Sequence, residues 1–445
     1  MTHAPVTPSR EDLDRAMDGV GLRAVFQPIV SLPEGRVVGY EALARWPHLI
    51  GVPREDVFTD AVRTGRAAML ERHCIEAAIG GARAAGLAPG STLFINCEAT
   101  APFLSRSDSD VLAQGAERFR IVFEVTERSL LAHPPDLLRK VVALREEGFA
   151  IALDDVGADM NALALLDVLA PDVIKLDMSL VQSRPHYEQA RTWAAVLAHH
   201  ERAGARVLAE GIETAEHLDR ALALGATLGQ GYRFGHPAPL GRNATPETPS
   251  PPIRIQHPCV DFGSPFDTVA SHQATAVASQ QSTPGDSAPV AIHRHDKATV
   301  VALSRYLEQQ ALQASDPPMV LTALQEAKYF TGETRARYER LAMRSPLVAI
   351  FGRDVADHLG SGIHGVRFDR DDSLQRQWIV LALGANIATA LVSREVPAHN
   401  AAGDRGERTF DVTSINDRTL VTGVARQLLS RMLTPAHPNH RRLVN

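Results

Sequence analysis

The sequence predicts an α/β protein: a (β/α)8-type, TIM-like barrel with an antiparallel first strand, followed by a separate mixed α/β domain. Three observations predict it. From residue 21 to about 240, short β-branched runs alternate with segments of helical period, as parallel βαβ units require. Seven or eight such units in about 220 residues favour a closed barrel over an open sheet. After Pro239 the texture breaks into Pro-, Thr- and Ser-rich sequence before a second globular pattern begins.

In chain order, AVFQPIVSL (24–32) and RVVGYEAL (36–43) flank a short Pro33-Glu34-Gly35 turn and read as an antiparallel pair opening the barrel. The next strands are TLFINCE (92–98), IVFEVTE (121–127), FAIALDD (149–155), VIKLD (173–177), ARVLAEG (205–211) and LGQGYRF (228–234). Between them, PDLLRKVVALREEG (135–148) brings Leu137, Leu138, Val141, Val142 and Leu144 to one helical face before Gly148 ends it. EHLDRALALGA (216–226) is a second such helix. The barrel therefore occupies residues 1–240. LGRNATPETPSPPIRIQHP (240–258) has no apolar period and reads as a stiff, solvated linker over 241–260.

The second domain is expected over 261–435, with SHQATAVASQQSTPGDSAP (271–289) as a low-order patch inside it. Helices follow at 298–313 and 333–344, strands at 347–352, 377–384, 388–395 and 408–415, and a closing amphipathic helix at 418–433. The most apolar window, WIVLALGANIATALV (378–392), falls short of the ~20 residues a membrane helix needs. Its central Gly384-Ala385-Asn386 reads as a turn between two buried strands.

Bulk properties narrow the function. A chain of 445 residues exceeds one ordinary core. A net charge of −6 gives no reason to expect a nucleic-acid polymer or an acidic membrane as partner. The three cysteines, Cys74, Cys97 and Cys259, form no CxxC pair, which argues for a reducing compartment and against a zinc site. The N-terminal stretch lacks an apolar signal region, so a cytoplasmic protein is expected.

In a βα barrel the active site lies at the C-terminal ends of the strands. There the sequence places Glu41, Asn96, Glu124, Asp154 with Asp155, Lys175, Glu210 and Gln230. Any one alone has a plainer role: an acid caps the next helix, an asparagine or glutamine turns a loop, a lysine pairs with an acid. Jointly, so many carboxylates at one mouth repel unless neutralised. Hard divalent cations take such oxygens, and the set exceeds what one octahedral ion needs, so two Mg²⁺ or Mn²⁺ ions are expected. Such a pair is the usual device for in-line phosphoester displacement, with water made acidic and charge on the phosphate stabilised. Lys175 and Asp177, two apart, are expected to share a strand face, with the acid behind the lysine. His293, His295 and Asp296 could suggest another metal, but without a second ligand pair they read as a solvated loop.

The words YEALARW (40–46), FINCE (94–98), FEVTE (123–127), ALDDVG (152–157), VIKLD (173–177), AEGIET (209–214) and QGYRF (230–234) resemble the sequential motifs of the EAL domain family. Those proteins are metal-dependent phosphodiesterases that linearise cyclic di-GMP. The resemblance covers roughly residues 20 to 240. It implies Glu41, Asn96, Glu124, Asp154 and Glu210 as metal ligands, with Asp155 ligating or bridging the second metal. Lys175 would orient the attacking water or stabilise charge at the phosphate, and Glu127 and Glu213 would brace the loop after the twin aspartates or assist as base. Arg45 would contact a substrate phosphate, Gln27 and Pro28 the substrate floor, and Gln230 would lie near the metals. The implied product is the linear dinucleotide pGpG, and the implied assembly a homodimer through the barrel.

The match departs where the family usually has Phe-Gly-Thr-Gly-Tyr after the aspartates. Here Val156-Gly157-Ala158-Asp159-Met160 replaces a glycine by Asp159 and the aromatic by Met160, which bears on metal affinity, dimer regulation and rate while removing no ligand. Glu98 stands where a small or neutral residue is usual. RSPLVAIFG (344–352), the paired strands that follow and the closing helix resemble the DICT sensory domain, which implies an unknown ligand or protein partner for the C-terminal domain. Three readings follow: a cyclic di-GMP phosphodiesterase regulated by a C-terminal sensor, a cyclic di-GMP receptor that signals through that domain without turnover, or a scaffold whose second domain recruits a partner, with hydrolysis incidental.

Overall fold

The computed structural model of the protein describes residues 9–49, 52–157, 159–183, 186–241, 246, 253, 255, 263–279, 291–397 and 408–433. Strands β1 (Arg23–Ser31), β2 (Val37–Arg45), β3 (Thr92–Asn96), β4 (Arg120–Thr126), β5 (Ala150–Val156), β6 (Val173–Leu176), β7 (Arg206–Ala209) and β8 (Leu228–Gly229) close into a barrel in sequence order. β1 is antiparallel to both β2 and β8, and the remaining pairs are parallel. The eighth strand is far shorter than the sequence predicts: the chain leaves the sheet at Gln230 and turns through Gly231 and Gly235 to return beside β1, where Phe26 and Ala238 exchange backbone hydrogen bonds.

One apolar layer fills the barrel, and every strand contributes to it: Ile29, Val38, Phe94, Val122, Ala150 with Ala152, Val173, Leu208 and Leu228. Fully burying a side chain the size of valine or leucine stabilises by about 1.5–3 kcal/mol, so this layer is a main anchor of the closed sheet. Side chains alternate along a strand, so the residue two positions beyond each layer member also points inward. Those residues are Asn96, Glu124, Asp154, Lys175, Glu210 and Gln230. On antiparallel β1 the equivalent step runs backwards to Gln27, and its register sets Gln27 opposite Glu41. A register irregularity between Ile29 and Val30 accounts for the three-residue step from Val38 to Glu41.

The linker expectation needs correction. Most of 241–260 lies outside the described residues, but Ile253 and Ile255 are half-buried against the barrel's apolar layer. Two isoleucines at i, i+2 place both side chains on one side of an extended chain, and that apolar pair docks rather than staying in water. Cys74 and Cys97 are free thiols; Cys259 lies outside the described residues.

By their contacts, residues 1–159 and 170–257 form one compact unit, and 160–169 with 258–445 a second. The second unit is built on a seven-stranded sheet of β9 (His293–Asp296), β10 (Met319–Glu326), β11 (Val348–Arg353), β12 (Ile363–Arg367), β13 (Gln377–Leu383), β14 (Ala388–Glu395) and β15 (Thr409–Ile415). Its order is β12-β11-β10-β13-β14-β15-β9, parallel among β10, β11 and β12 and antiparallel elsewhere. Gly384-Ala385-Asn386 forms the expected turn between β13 and β14, closed by the Gly384 N–H donating to Ile387 O at 2.8 Å. The Lys297–Gln313 helix packs Val300 and Leu307 on Val380, Leu391 and Phe410 of the sheet.

Two expectations fail in this unit. The predicted low-order patch starts as helix, because Pro265–Ser279 is one α-helix whose Ala-rich second half favours that form; residues 280–290 lie outside the described residues. The predicted loop at His293–His295 is instead edge strand β9, paired with β15 and exposed on most positions. His293 and His295 face the same way because they are two apart, and Asp296 caps the Lys297–Gln313 helix by accepting from Thr299 N–H at 2.8 Å. Its carboxylate is thus already used.

Candidate metal centre

The inward residues one step above the apolar layer form a polar ring with one member from each strand. Lys175 is its hub. Its Nζ lies 2.8 Å from Glu124 Oε1, 2.9 Å from both Asp154 Oδ1 and Glu210 Oε1, and 3.8 Å from Glu41 Oε2. Lys175 and Glu124 are each 1% exposed, so the cluster sits at low effective dielectric where these charges interact strongly. Gln230 Nε2 donates to Glu41 Oε2 at 2.5 Å and to Gln27 Oε1 at 3.0 Å, while Asn96 Nδ2 donates to Glu41 Oε1 at 3.3 Å. Gln27 in turn donates to Gly235 O, tying the ring to the loop beyond β8.

The electrostatics follow from one ammonium facing four carboxylates. Burial pushes the Lys175 amine down, but the charges of Asp154, Glu124, Glu210 and Glu41 outweigh it and hold the amine well above its usual range. Burial, then the nearby charge of Glu41, pushes the Glu124 carboxyl well above the carboxylate range. Burial also pushes Glu210 up, to about 8, although Lys175 opposes it. Glu41 goes the other way: burial raises it, yet Lys175 and the amide donors Gln230 and Asn96 together bring it below its usual range. The ring thus carries more negative potential than its one lysine cancels.

The twin aspartates diverge. Asp154 is buried in the ring, whereas Asp155 is exposed and adopts φ 58°, a left-handed backbone rare for a residue with a Cβ. That turn keeps Asp155 near the ring: Asp154, Asp155 and Glu210 each offer a carboxylate oxygen within 4.8 Å of the others. Glu124 Oε2 is buried with no hydrogen-bond partner among the described residues. A buried oxygen left unmatched, beside three converging carboxylates, fits a hard divalent cation. Glu41, Asn96, Glu124, Asp154, Asp155 and Glu210 are the residues placed to hold one or two such ions.

The remaining predicted residues are placed as follows. Glu127 is buried, and its Oε2 accepts from Asp159 N–H at 2.9 Å and Gly157 N–H at 3.3 Å, so it braces the loop behind the aspartates. Asp159 itself takes no left-handed conformation, so its replacement of glycine carries no backbone penalty; the strained residue is Asp155. Glu213 is exposed in the loop after β7 and is not brought into the ring. Arg45 is half-buried at the end of β2 and donates to the neighbouring Ala44 O. Pro28 packs beneath Gly235, where a Cβ would meet its ring at 2.8 Å. Asp177 does not stand behind Lys175: β6 ends at Leu176, and Asp177 caps the Met178–Gln182 helix by accepting from Ser179 N–H at 2.8 Å.

Sequence reasoning missed one support. Lys140 Nζ lies 2.8 and 2.7 Å from the two oxygens of Glu71 and also donates to Glu98 O and Ala101 O; Lys140, Glu71 and Ala101 are buried and Glu98 is half-buried. This pins the loop that follows Asn96. The signal was a lysine between Leu137, Leu138 and Val141 on an otherwise apolar helix face. Glu98 contributes locally, its Oε1 accepting from both the backbone and the hydroxyl of Thr100.

Comparison with known proteins adds the family. The EAL domain model matches residues 10–237, and the model described as "Sensory domain in DIguanylate Cyclases and Two-component system", DICT, matches 276–396. The cyclic di-GMP phosphodiesterase RocR of Pseudomonas aeruginosa is 29% identical over 242 residues, covering 52% of this chain and 61% of RocR. The probable cyclic di-GMP phosphodiesterase PdeG of Escherichia coli is 32% identical over 237 residues, covering 51% of this chain and 46% of PdeG. A solved structure described as "PaMucR Phosphodiesterase, c-di-GMP complex" is 24% identical, with a TM-score of 0.44, covering 52% of this chain and 96% of that one. No helix among the described residues is long and apolar enough to cross a membrane.

Proposed function

The chain belongs to the EAL domain family over residues 10–237, and from that membership we propose that it hydrolyses cyclic di-GMP to linear pGpG, with its second unit acting as a sensor. The observation that carries the proposal is the complete polar ring, in which Glu41, Asn96, Glu124, Asp154, Lys175 and Glu210 converge with no position lost. The names of RocR and PdeG support the substrate, and the description of the DICT model supports the sensory role.

Two divalent ions, Mg²⁺ or Mn²⁺, would be held by the six oxygen-donor residues and would neutralise their charge and acidify water. The chain's own groups do the rest. Water adds across one P–O3′ bond: its oxygen joins phosphorus, the 3′-oxygen leaves and takes up a proton, and the 5′-phosphate stays on the product. Lys175, buried and held in its charged form by its carboxylate neighbours, sets a fixed positive charge where negative charge grows on the phosphoryl oxygens. Gln230 and Asn96 fix the rotation of Glu41 by donating to both its oxygens. Glu127 fixes the turn that carries Asp155. Arg45, Gln27 and Pro28 form the substrate-facing side, and Glu213 is a second brace or base once substrate covers the mouth.

The deciding experiment incubates purified protein with cyclic di-GMP and Mg²⁺ or Mn²⁺ and separates products by chromatography. Linear pGpG is expected. Retained binding with no linear product under either metal would replace hydrolysis by a receptor role.

A further inference from the structure

A cavity of about 220 Å³ opens within the second unit, walled by the Lys297–Gln313 helix, β10, β13 and the Glu333–Ala342 helix. Lys297, Val301, Ser304, Arg305 and Glu308 line it from the first helix, at spacings that set them on one face. Leu324 and Trp378 come from adjacent strands, one step beyond the Ala323–Ile379 pair of the β10–β13 ladder, and Tyr329 flanks them.

The cavity is cationic on a chain whose net charge is −6. Lys297 has no carboxylate within ion-pair distance among the described residues, and its ammonium stands 5.6 Å from the Tyr329 ring centroid. Arg305 pairs with Glu333 at 3.1 Å, but those side chains are 55% and 84% exposed, so water screens the pair. Arg337 is matched by buried Glu308 at 2.7 Å and adds no net charge. Lys297 and the screened Arg305 are both exposed, while Leu324 is nearly buried, so charge lies towards solvent and apolar wall lies within.

We propose that this cavity binds a small aromatic carboxylate. The ring lies against Leu324, Tyr329 and Trp378, and the carboxylate faces Lys297 and Arg305. An aromatic carboxylate suits the site better than inorganic phosphate, because phosphate has no apolar face to cover Leu324, Tyr329 and Trp378. The proposal deepens the sensory reading of the second unit and is independent of hydrolysis at the barrel, since binding is read directly.

The test is calorimetric titration of the full chain at low salt with phenylacetate, benzoate and 2-naphthoate, with phenylacetamide as neutral isostere and inorganic phosphate as bare anion. At least one carboxylate is expected to bind one-to-one with a Kd below about 1 mM, and phenylacetate about tenfold more tightly than phenylacetamide. Lys297→Gln, an exposed position, should remove that preference for acid over amide, and Trp378→Phe should weaken the acids while leaving the thermal transition in place. No binding by any of the three acids, equal binding of acid and amide, tighter binding of phosphate, or indifference to both substitutions would overturn the proposal. If binding holds and saturating carboxylate leaves cyclic di-GMP turnover unchanged, the site stands and the regulatory reading of the unit falls.

Discussion

Lys175 is the residue on which the candidate site turns. It is the one cation among four carboxylates, three of them within 2.9 Å. Lys175→Met leaves buried carboxylates uncompensated, and removing one partner from such a set costs about 3–5 kcal/mol. The expected outcome is a lower Tm in chelator, partly restored by Mg²⁺, and turnover reduced by about 10²–10³-fold. An unchanged Tm in chelator would show that the carboxylates do not depend on this ammonium. Glu41→Ala removes a metal-facing carboxylate and one acceptor from each of the Gln230 and Asn96 amides; turnover is expected to vanish while the far-UV circular dichroism persists. Gln27 lies inside β1 and came only from the family resemblance; the other ring residues were legible in the sequence, because each closes a strand-like run. The hub geometry was not, since it needs strands distant in sequence to meet.

At the scale of elements, supports for the site lie in loops and helices outside the ring. Glu127 accepts from two backbone N–H groups of the turn behind Asp155. Glu127→Ala is expected to weaken Mn²⁺ binding about 10–100-fold by titration calorimetry, the range typical of groups that orient metal ligands; wild-type affinity would deny it that role. Lys140→Ala strands buried Glu71 and should destabilise by about 3–5 kcal/mol, whereas the paired change Lys140→Met with Glu71→Leu should be far milder in urea melts. In the second unit, hydrogen bonds from Arg408 hold the Glu395 carboxyl below its usual range. A carboxyl depressed on folding stabilises above its unfolded pKa and loses that stabilisation as pH falls through the folded one. The penalty of Arg408→Ala should therefore be present at neutral pH and shrink below about pH 4, as followed by thermal melts across pH. Helices with clear apolar period, such as 418–433, were legible to the residue. Strands β9, β10 and β12 were not, because a polar edge strand, a strand apolar on both faces and a five-residue strand leave no period-2 signal.

For the whole molecule, the division into units does not follow a single cut in the chain. Residues 160–169, which join β5 to β6, group by contact with the second unit. Within that unit Arg418 bonds the Asp167 carboxylate at 2.6 Å, and Arg426 bonds its backbone carbonyl at 2.9 Å. Arg418→Ala is expected to speed amide exchange across 160–169 while leaving exchange in β13 and β14 unchanged; equal protection in both variants would show that the segment is held by other contacts.

By itself the sequence determined the barrel, the strand-end donors, the family and the presence of a second α/β domain. Those features rest on local periodicity and short motifs, which one stretch of chain carries alone. Only the tertiary structure decided that Lys175 holds four carboxylates, that Asp177 caps a helix instead, that Ile253 and Ile255 dock on the barrel, and that a cationic cavity opens beside Trp378. Each of these depends on distances between residues far apart in sequence, and burial turns those distances into energy.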